Sequence, residues 1–147
     1  MRAHLARLAI LLLAAPFGCR TPEASAPHQP ALITSPNGLG IADLVVGTGA
    51  SPRLAQPCVI EVMGWIEENG HRGRIILDTR KRGYPVTFPL GVGRVIKGWD
   101  EGLATMKKGG KRLLRVPPAL GYSTWEARED IPPEATLLFE VELIDIR

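Results

Sequence analysis

The chain has 147 residues, enough for one domain, and is 45% hydrophobic, 22% charged and only 5% aromatic. This composition supports a packed core and excludes disorder over most of the length. The formal net charge is +3, but Arg2 and Arg7 lie in an N-terminal stretch that looks removable. Without these two arginines, 16 basic residues face 15 acidic ones, a net charge of +1. The sequence therefore predicts no nucleic-acid partner, because such a partner needs a strongly basic surface.

Residues 1–19, "MRAHLARLAILLLAAPFGC", have the layout of a secretory signal. A basic start is followed by an apolar run from Leu8 to Ala15 and by small residues. The run is shorter than the ~20 apolar residues that a membrane-spanning helix needs. A buried first helix is the alternative, but Pro16 would stop such a helix. We therefore expect an exported protein of the cell envelope or periplasm.

The pair Gly18-Cys19, directly after the apolar run, resembles the lipobox of bacterial lipoproteins. In that family the cysteine takes a diacylglycerol group and becomes the new N-terminus. Pro16 and the bulky Phe17 depart from the family pattern. The resemblance implies that Cys19 is a lipid attachment site that anchors the protein to a membrane. Ordinary cleavage after the small residues of "ASA", Ala24 to Ala26, is the alternative.

Residues 20–36 form a proline-rich stretch without hydrophobic periodicity, which predicts a flexible tether before a folded domain at 37–147. The two cysteines and three histidines of the sequence have no metal-ligand spacing, so we expect no metal or other cofactor. Cys58 has no disulfide partner in the domain if Cys19 carries lipid. It is interpreted as a small core hydrophobe.

Alternating polar and apolar residues predict several strands in the domain. "VIEVMGWIEENG" reads as a strand that enters a tight turn at Asn69-Gly70, and "RGRIILD" as its partner. "KRLLRVP" is another, and "TLLFEVELIDIR" is the clearest, with Glu140 and Glu142 opposite an apolar row that includes Phe139. The alternation predicts an antiparallel sheet with one wet face and one covered face.

One stretch carries helical spacing, since Val95, Ile96, Trp99 and Leu103 fall at i, i+1, i+4 and i+8. A single short helix must then cover the apolar face of a single sheet, which is an α+β arrangement. Where helix and sheet meet, we expect the gap to be lined by Val95, Ile96, Trp99 and Phe139.

Glycines around this stretch invite a phosphate-binding interpretation, which the spacing excludes. Gly98 comes five residues after Gly93, so no G-x-G-x-x-G is present, and no Gly-Lys-Ser or Gly-Lys-Thr follows. Gly91 and Gly93 instead predict a tight turn leading into the helix. Gly109-Gly110 predicts the turn that leaves it.

Four stretches together resemble the FKBP-type peptidyl-prolyl cis-trans isomerases: "GLGIADLVVGTGA", "FPLGVGRVIKGWDEGLATMKKGGKR", "VPPALGY" and "IPPEATLLFEVELIDI". They occur in the family's order and spacing between about Gly38 and Ile146. The resemblance implies a curved, five- to six-stranded antiparallel sheet wrapped around one short helix. It also implies an enzyme that isomerises X-Pro bonds without a cofactor.

The resemblance further implies a substrate site between helix and sheet. Its catalytic residues are Asp78, Trp99, Tyr122 and Phe139, and its substrate-binding residues are Val62, Leu77, Val86, Val95, Ile96, Trp125 and Ile131. In this assignment Trp99 is the floor beneath the proline ring. The Ile96 amide and the Tyr122 hydroxyl hold substrate carbonyls, and Asp78 lies near the twisting amide. A plainer role for Asp78 is an ion pair with Arg82, four residues on.

Three positions of the implied pocket depart from the family pattern. Val62 replaces a tyrosine, and Leu77 and Val86 each replace a phenylalanine. The loop 78–83 is one residue shorter than usual, and the flap "STWEARED" carries Trp125 in place of glycine-rich sequence. A wider pocket predicts looser proline binding. A weakly active or inactive peptide-binding or chaperone module, and a structural lipoprotein with a vestigial pocket, are therefore the alternatives.

The implied partners are proline-containing unfolded or extended polypeptides exported to the envelope. Macrolide inhibitors are a second implied ligand class, and the membrane is reached through the lipid anchor. We expect a monomer.

Overall fold

The computed structural model describes residues 30–122 and 128–147. In chain order it contains β1 (Ile33–Thr34), β2 (Gly40–Val45), β3 (Pro57–Glu68), β4 (His71–Asp78), α1 (Thr79–Arg82), β5 (Val86–Pro89), α2 (Lys97–Leu103), β6 (Lys111–Val116) and β7 (Leu137–Ile146). The strands form one antiparallel sheet in the order β1-β2-β6-β7-β3-β4, and β5 also pairs with β3. The α+β prediction is confirmed, and the two-residue β1 makes the seventh strand.

The long strand β3 is the centre of the sheet. One of its edges pairs with β7 from Cys58 to Ile66. The other edge is shared, because β5 pairs with residues 57–60 and β4 with residues 63–68. The predicted Asn69-Gly70 turn joins β3 to β4, and both turn residues have positive φ, 52° and 79°. This backbone suits an Asn-Gly pair in a two-residue hairpin.

The predicted covered face is the core of the molecule. Alternate residues of β7 are at most 1% exposed and belong to the main hydrophobic cluster: Leu137, Phe139, Val141 and Leu143. The helix α2 supplies Trp99 and Leu103 to the same cluster. The apolar face of the sheet therefore packs against α2, as expected.

The outer face of the sheet buries more apolar side chains than the alternation predicted. Leu138 is buried there opposite Trp65, its partner on β3, and Leu113 is buried as well. The guanidinium of Arg72 lies 4.3 Å from the centroid of the Trp65 ring. The expectation of a wet face is thus wrong at these positions, and at Trp65 it is a cation over the ring face that takes the place of water.

The helix begins later than its sequence pattern indicated. Val95 and Ile96 precede α2, and Ile96 is the residue before its first turn, with an extended backbone (φ −56°, ψ 146°). Gly91 and Gly93 have φ of 76° and 73°, so they hold the chain in a turn until that point. Ile96 is nevertheless buried, which is why its apolar character matched the helical stripe.

Helix α2 lies close to the sheet because two glycines face strand β6. A Cβ atom on Gly98 would stand 2.6 Å from the side chain of Val116, and one on Gly102 would stand 2.7 Å from that of Leu114. Such distances leave no room for any side chain. These two glycines therefore serve helix–sheet packing.

A buried arginine closes the C-terminal end of α2. Arg112 donates to both carboxylate oxygens of Asp43 at 2.7 and 3.1 Å, and to the Gly102 carbonyl at 2.6 Å. It also donates to the Thr105 hydroxyl at 2.7 Å. The cation is thus fully paired, and it ties β2 and β6 to the end of the helix, where a positive charge is favourable.

The short helix α1 is a feature that the sequence did not predict. Its first residue, Thr79, is buried, and its hydroxyl accepts from the Val62 N–H at 2.9 Å. The same hydroxyl donates to the Val62 carbonyl at 3.3 Å. Val62 lies between the parts of β3 that pair with β5 and β4, so Thr79 supplies the hydrogen bonds that a neighbouring strand would otherwise give.

The N-terminal boundary of the domain lies earlier than residue 37. Strand β1, at Ile33–Thr34, pairs with β2 inside the segment expected to be tether. Within the described residues no helix is long and apolar enough to cross a membrane. Residues 1–19, including Cys19, lie outside the described part of the chain.

Candidate active site

An aromatic cluster lies where α2 meets the sheet. Trp99, in the first turn of α2, is 4% exposed, and its ring meets that of Phe139 edge-on at 5.2 Å between centroids and 84° between planes. The ring of Phe88, on β5, also contacts the indole, with a centroid distance of 6.0 Å and an angle of 39° between the planes. Phe88 was not among the predicted site residues, although "TFPL" marks a strand that ends beside the glycine turn.

Most of the predicted site residues belong to the hydrophobic cluster that contains Trp99 or pack against it. Val62, Ile96, Ile131 and Phe139 are buried in this cluster. Half-buried residues pack against it: Leu77, Val86, Val95 and Tyr122. Trp125 lies outside the described residues. The cluster therefore combines aliphatic side chains with the Trp99–Phe139 ring pair.

Asp100 fixes one rim of the site to the helix. Its carboxylate accepts from the Gly91 N–H at 2.8 Å and from the Gly93 N–H at 3.0 Å. Because Asp100 follows Trp99 directly in α2, the glycine turn and the indole floor are carried by one element. Sequence analysis missed Asp100. The available signal was an acidic residue in the first turn of a helix that follows two turn glycines.

Asp78 lies at the end of β4, half-buried, and lines a cleft whose other walls are mostly charged: Glu61, Arg80, Lys111, Glu140 and Glu142. Its carboxylate accepts from the Lys81 N–H at 3.0 Å and so caps helix α1. Among the described residues no ion pair joins it to Arg82, whose guanidinium lies 5.5 Å from the centroid of the Tyr84 ring. The ion-pair interpretation is wrong because capping directs the carboxylate at the backbone.

Cys58 is fully buried in the cluster and is not in a disulfide. Burial raises the pKa of its thiol above the ordinary value, and the negative charge of Asp100 adds to the effect. The thiol is therefore unreactive and serves as a small apolar side chain, as expected. Across 30–122 and 128–147, no three potential metal-ligating side chains come together.

The sequence and the fold both match known proteins. The family model described as "FKBP-type peptidyl-prolyl cis-trans isomerase" matches residues 49–144. The chain belongs to this family. It is 47% identical over 109 residues to an FK506-binding protein of Neisseria meningitidis serogroup B, covering 74% of this chain and 96% of that protein. It is 41% identical over 110 residues to FK506-binding protein 1 of Dictyostelium discoideum, covering 75% and 99%.

Solved structures show the same fold. The isomerase is similar to FkpA from Escherichia coli with a TM-score of 0.71 and 35% identity, over 81% of this chain and 53% of that one. It is similar to AtFKBP13 with a TM-score of 0.67 and 38% identity, over 78% and 97%. The protein is thus a peptidyl-prolyl cis-trans isomerase, which accelerates rotation about the bond before proline.

Proposed function

We propose that the site over Trp99 is where the isomerase binds and twists its X-Pro bond. The observation that carries this assignment is the buried Trp99–Phe139 pair at the base of a ring of aliphatic side chains. A proline ring is apolar and flat enough to lie on an indole. The aliphatic side chains around the proline ring exclude water, and they carry no polar group that could hydrogen-bond to the substrate's carbonyls.

The barrier to rotation comes from amide resonance and is ~18–20 kcal/mol. The planar amide has a charge-separated resonance form that water stabilises, whereas the twisted amide has lost it. A dry pocket therefore favours the twisted form relative to the planar one, and donors that fit the twisted form better lower the barrier further.

In our proposal, two hydrogen-bond donors and one carboxylate stabilise the twisted amide. The N–H of Ile96 precedes the first turn of α2, and no described backbone or side-chain group accepts from it. This N–H and the Tyr122 hydroxyl hold substrate carbonyls on either side of the proline. The Asp78 carboxylate lies near the twisting bond, with its position fixed by the cap on α1.

We further propose that FK506-like macrolides occupy the same pocket. The support is the similarity to proteins named FK506-binding protein, at 47% and 41% identity. The sheet side of this pocket carries Val62, Leu77 and Val86 in place of larger aromatic residues. A wider pocket buries less ligand surface, so macrolide affinity should be lower than in a fully aromatic pocket.

The enzyme acts, in our proposal, on exported polypeptides at the cell envelope. The support is the signal-like sequence of residues 1–19, with Cys19 as the lipid-bearing residue, and the proline-rich stretch after it. The clients are unfolded or extended chains, because only these present an X-Pro bond free of secondary structure.

Replacing Asp78 tests the pocket assignment. Asp78→Asn keeps an oxygen that can accept from the Lys81 N–H, so the cap on α1 and the fold should survive. We expect kcat/KM on a short X-Pro peptide to fall at least about tenfold, which corresponds to ~1.4 kcal/mol of transition-state stabilisation.

The matched control is Asp145→Asn, which removes an exposed carboxylate near the end of β7 that pairs with Lys108. This variant should keep wild-type kcat/KM. Equal turnover by the Asp78→Asn variant and the wild type, with both folded by circular dichroism, would remove Asp78 from the mechanism.

A further inference from the structure

Exposed cations stand beside the pocket. Arg94 and Lys97 bracket Val95 and Ile96, the two residues that lead from the glycine turn into α2, and both are exposed. Lys81 and Arg82 stand in the same way after Asp78 and are also exposed. Segments 94–97 and 78–82 both contribute residues to the proposed pocket, and both therefore carry exposed positive charge.

These cations differ from most others in having no acidic partner. Across the described ranges, eight Lys and Arg side chains are paired with carboxylates: Arg72, Arg80, Lys108, Lys111, Arg112, Arg115, Arg128 and Arg147. Arg94, Lys97 and Lys81 form no ion pair with any described residue, and Arg82 lies over Tyr84. The unpaired charges are thus available to a ligand.

Helix electrostatics separates the two sets. Lys81 and Arg82 lie in the last turn of α1, where a positive charge is favourable, so local structure explains them. Lys97 is the first residue of α2, where a positive charge is unfavourable. The acidic residue of that turn, Asp100, is engaged by the glycine amides. Nothing in the fold favours a lysine at 97, which points to a role outside the fold.

We propose that Arg94 and Lys97 select substrates that carry an acidic residue beside the isomerised X-Pro pair. The inference rests on the proposed pocket at Val95–Ile96, and it adds the substrate class to it. Exposed ion pairs are weak, and two cations that act on one carboxylate are not additive. We therefore expect kcat/KM to rise by about two- to tenfold at low salt, and screening should remove the gain at ~1 M salt, where the Debye length is ~3 Å.

The experiment compares two X-Pro peptides that are identical except for Glu or Gln at the position beside the X-Pro pair. The quantity measured is the ratio of their kcat/KM values, with Glu over Gln, at low and at high salt. The wild type should give a ratio of about two to ten at low salt and about one at high salt. The Arg94→Gln/Lys97→Gln double variant should give a ratio of about one at both.

The control is Lys107→Gln/Arg147→Gln, which removes the same net charge from the loop between α2 and β6 and from the last residue of the sequence. It should keep the wild-type ratio, so a ratio that falls equally in both double variants would indicate net charge alone and overturn the proposal. A wild-type ratio of one at low salt, with Glu placed before or after the X-Pro pair, would overturn it as well.

Affinities measured by calorimetry for the same two peptides separate this proposal from the assignment of the pocket. A Glu-over-Gln preference in affinity that disappears in the Arg94→Gln/Lys97→Gln variant supports charge selection even where turnover is too slow to measure. Turnover of the Gln peptide that does not respond to Asp78→Asn would contradict the catalytic assignment and leave the charge selection standing.

Discussion

The buried thiol of Cys58 makes the stability of the fold depend on pH. It is fully buried, its pKa is raised by burial and then by Asp100, and it contributes no chemistry to the site. Since the folded state holds the proton more tightly than the unfolded state does, this thiol stabilises the fold fully below the pKa of the unfolded thiol, ~8.5. The stabilisation is lost as the pH rises from there through the folded pKa.

The free energy of unfolding should therefore fall more steeply above about pH 8.5 in the wild type than in Cys58→Ala, by up to ~1.4 kcal/mol per pH unit. Urea unfolding between pH 7 and 10, under reducing conditions, measures both profiles. Below pH 8 the difference between the two proteins should be constant, because it then reflects only lost packing. Parallel profiles across the whole range would mean that the folded thiol ionises as readily as the unfolded one.

At the scale of single residues, the sequence predicted the core positions better than the polar contacts. Phe139 and Trp99 are where the alternation and the helical stripe placed them. Asp100 and Thr79 were missed, because each acts on a backbone group that is distant in sequence or brought near only by the fold. A pattern of polar and apolar residues carries no information about which backbone amides lack a partner.

At the scale of elements, the position of α2 depends on its contact with β6. Gly98 and Gly102 lie one turn apart and face Val116 and Leu114, both fully buried and therefore unable to move aside. The helix cannot withdraw from the strand without moving Trp99, which it carries between these two glycines. The contact between helix and strand thus also sets the depth of the pocket floor.

Gly102→Ala should consequently lower both stability and turnover. Overpacking costs ~1–3 kcal/mol, and the better helix propensity of alanine returns at most ~1 kcal/mol of that. Urea unfolding gives the first effect, and kcat/KM at a temperature where the variant remains folded gives the second. Glu101→Gln, on the partly exposed side of the same helix, keeps an oxygen that can accept from the Asn37 amide, and it is the control that should leave stability and turnover unchanged.

A Gly102→Ala variant with wild-type stability and turnover would show that the helix has room to shift without cost.

Helix α2 also explains why the sequence predicted its first residue wrongly. Val95 and Ile96 are apolar at helical spacing, but both precede α2, and the backbone of Ile96 is extended where the helix would continue. Apolar periodicity indicates which residues are buried, and it does not fix where the hydrogen bonds of a helix begin.

At the scale of the whole molecule, the sequence predicted the sheet, the helix over it and the family. Strands β3, β4, β6 and β7 coincide with the stretches that the sequence predicted as strands. The drier outer face and the pairing of β1 were not predictable, since both depend on partners that approach from other elements. Location in the cell is a separate property, and our proposal of an exported, lipid-anchored enzyme rests on the sequence of residues 1–19 alone.

Cys19→Ser should release the isomerase from the membrane fraction of bacterial cells or stop its processing, while residues 30–147 still fold and turn over X-Pro peptides. The reason is that anchoring requires acyl chains, each methylene contributing ~0.8 kcal/mol, and serine cannot carry the thioether. Cys58→Ala is the control and should stay in the membrane fraction. Mass spectrometry of an unmodified mature N-terminus near Pro27 would instead identify a soluble secreted enzyme.

The attachment of floor and rim to one helix has a consequence for how such a pocket can evolve. Trp99 and Asp100 are neighbours on α2, so a change that moves either one moves the other and disturbs the contact with β6. The opposite wall is built from separate strands, and the three departures from the family pattern all lie there: Val62 on β3, Leu77 on β4 and Val86 on β5. We therefore expect the sheet wall to tolerate variation better than α2, and a library meant to change substrate preference should randomise those three positions while leaving α2 intact.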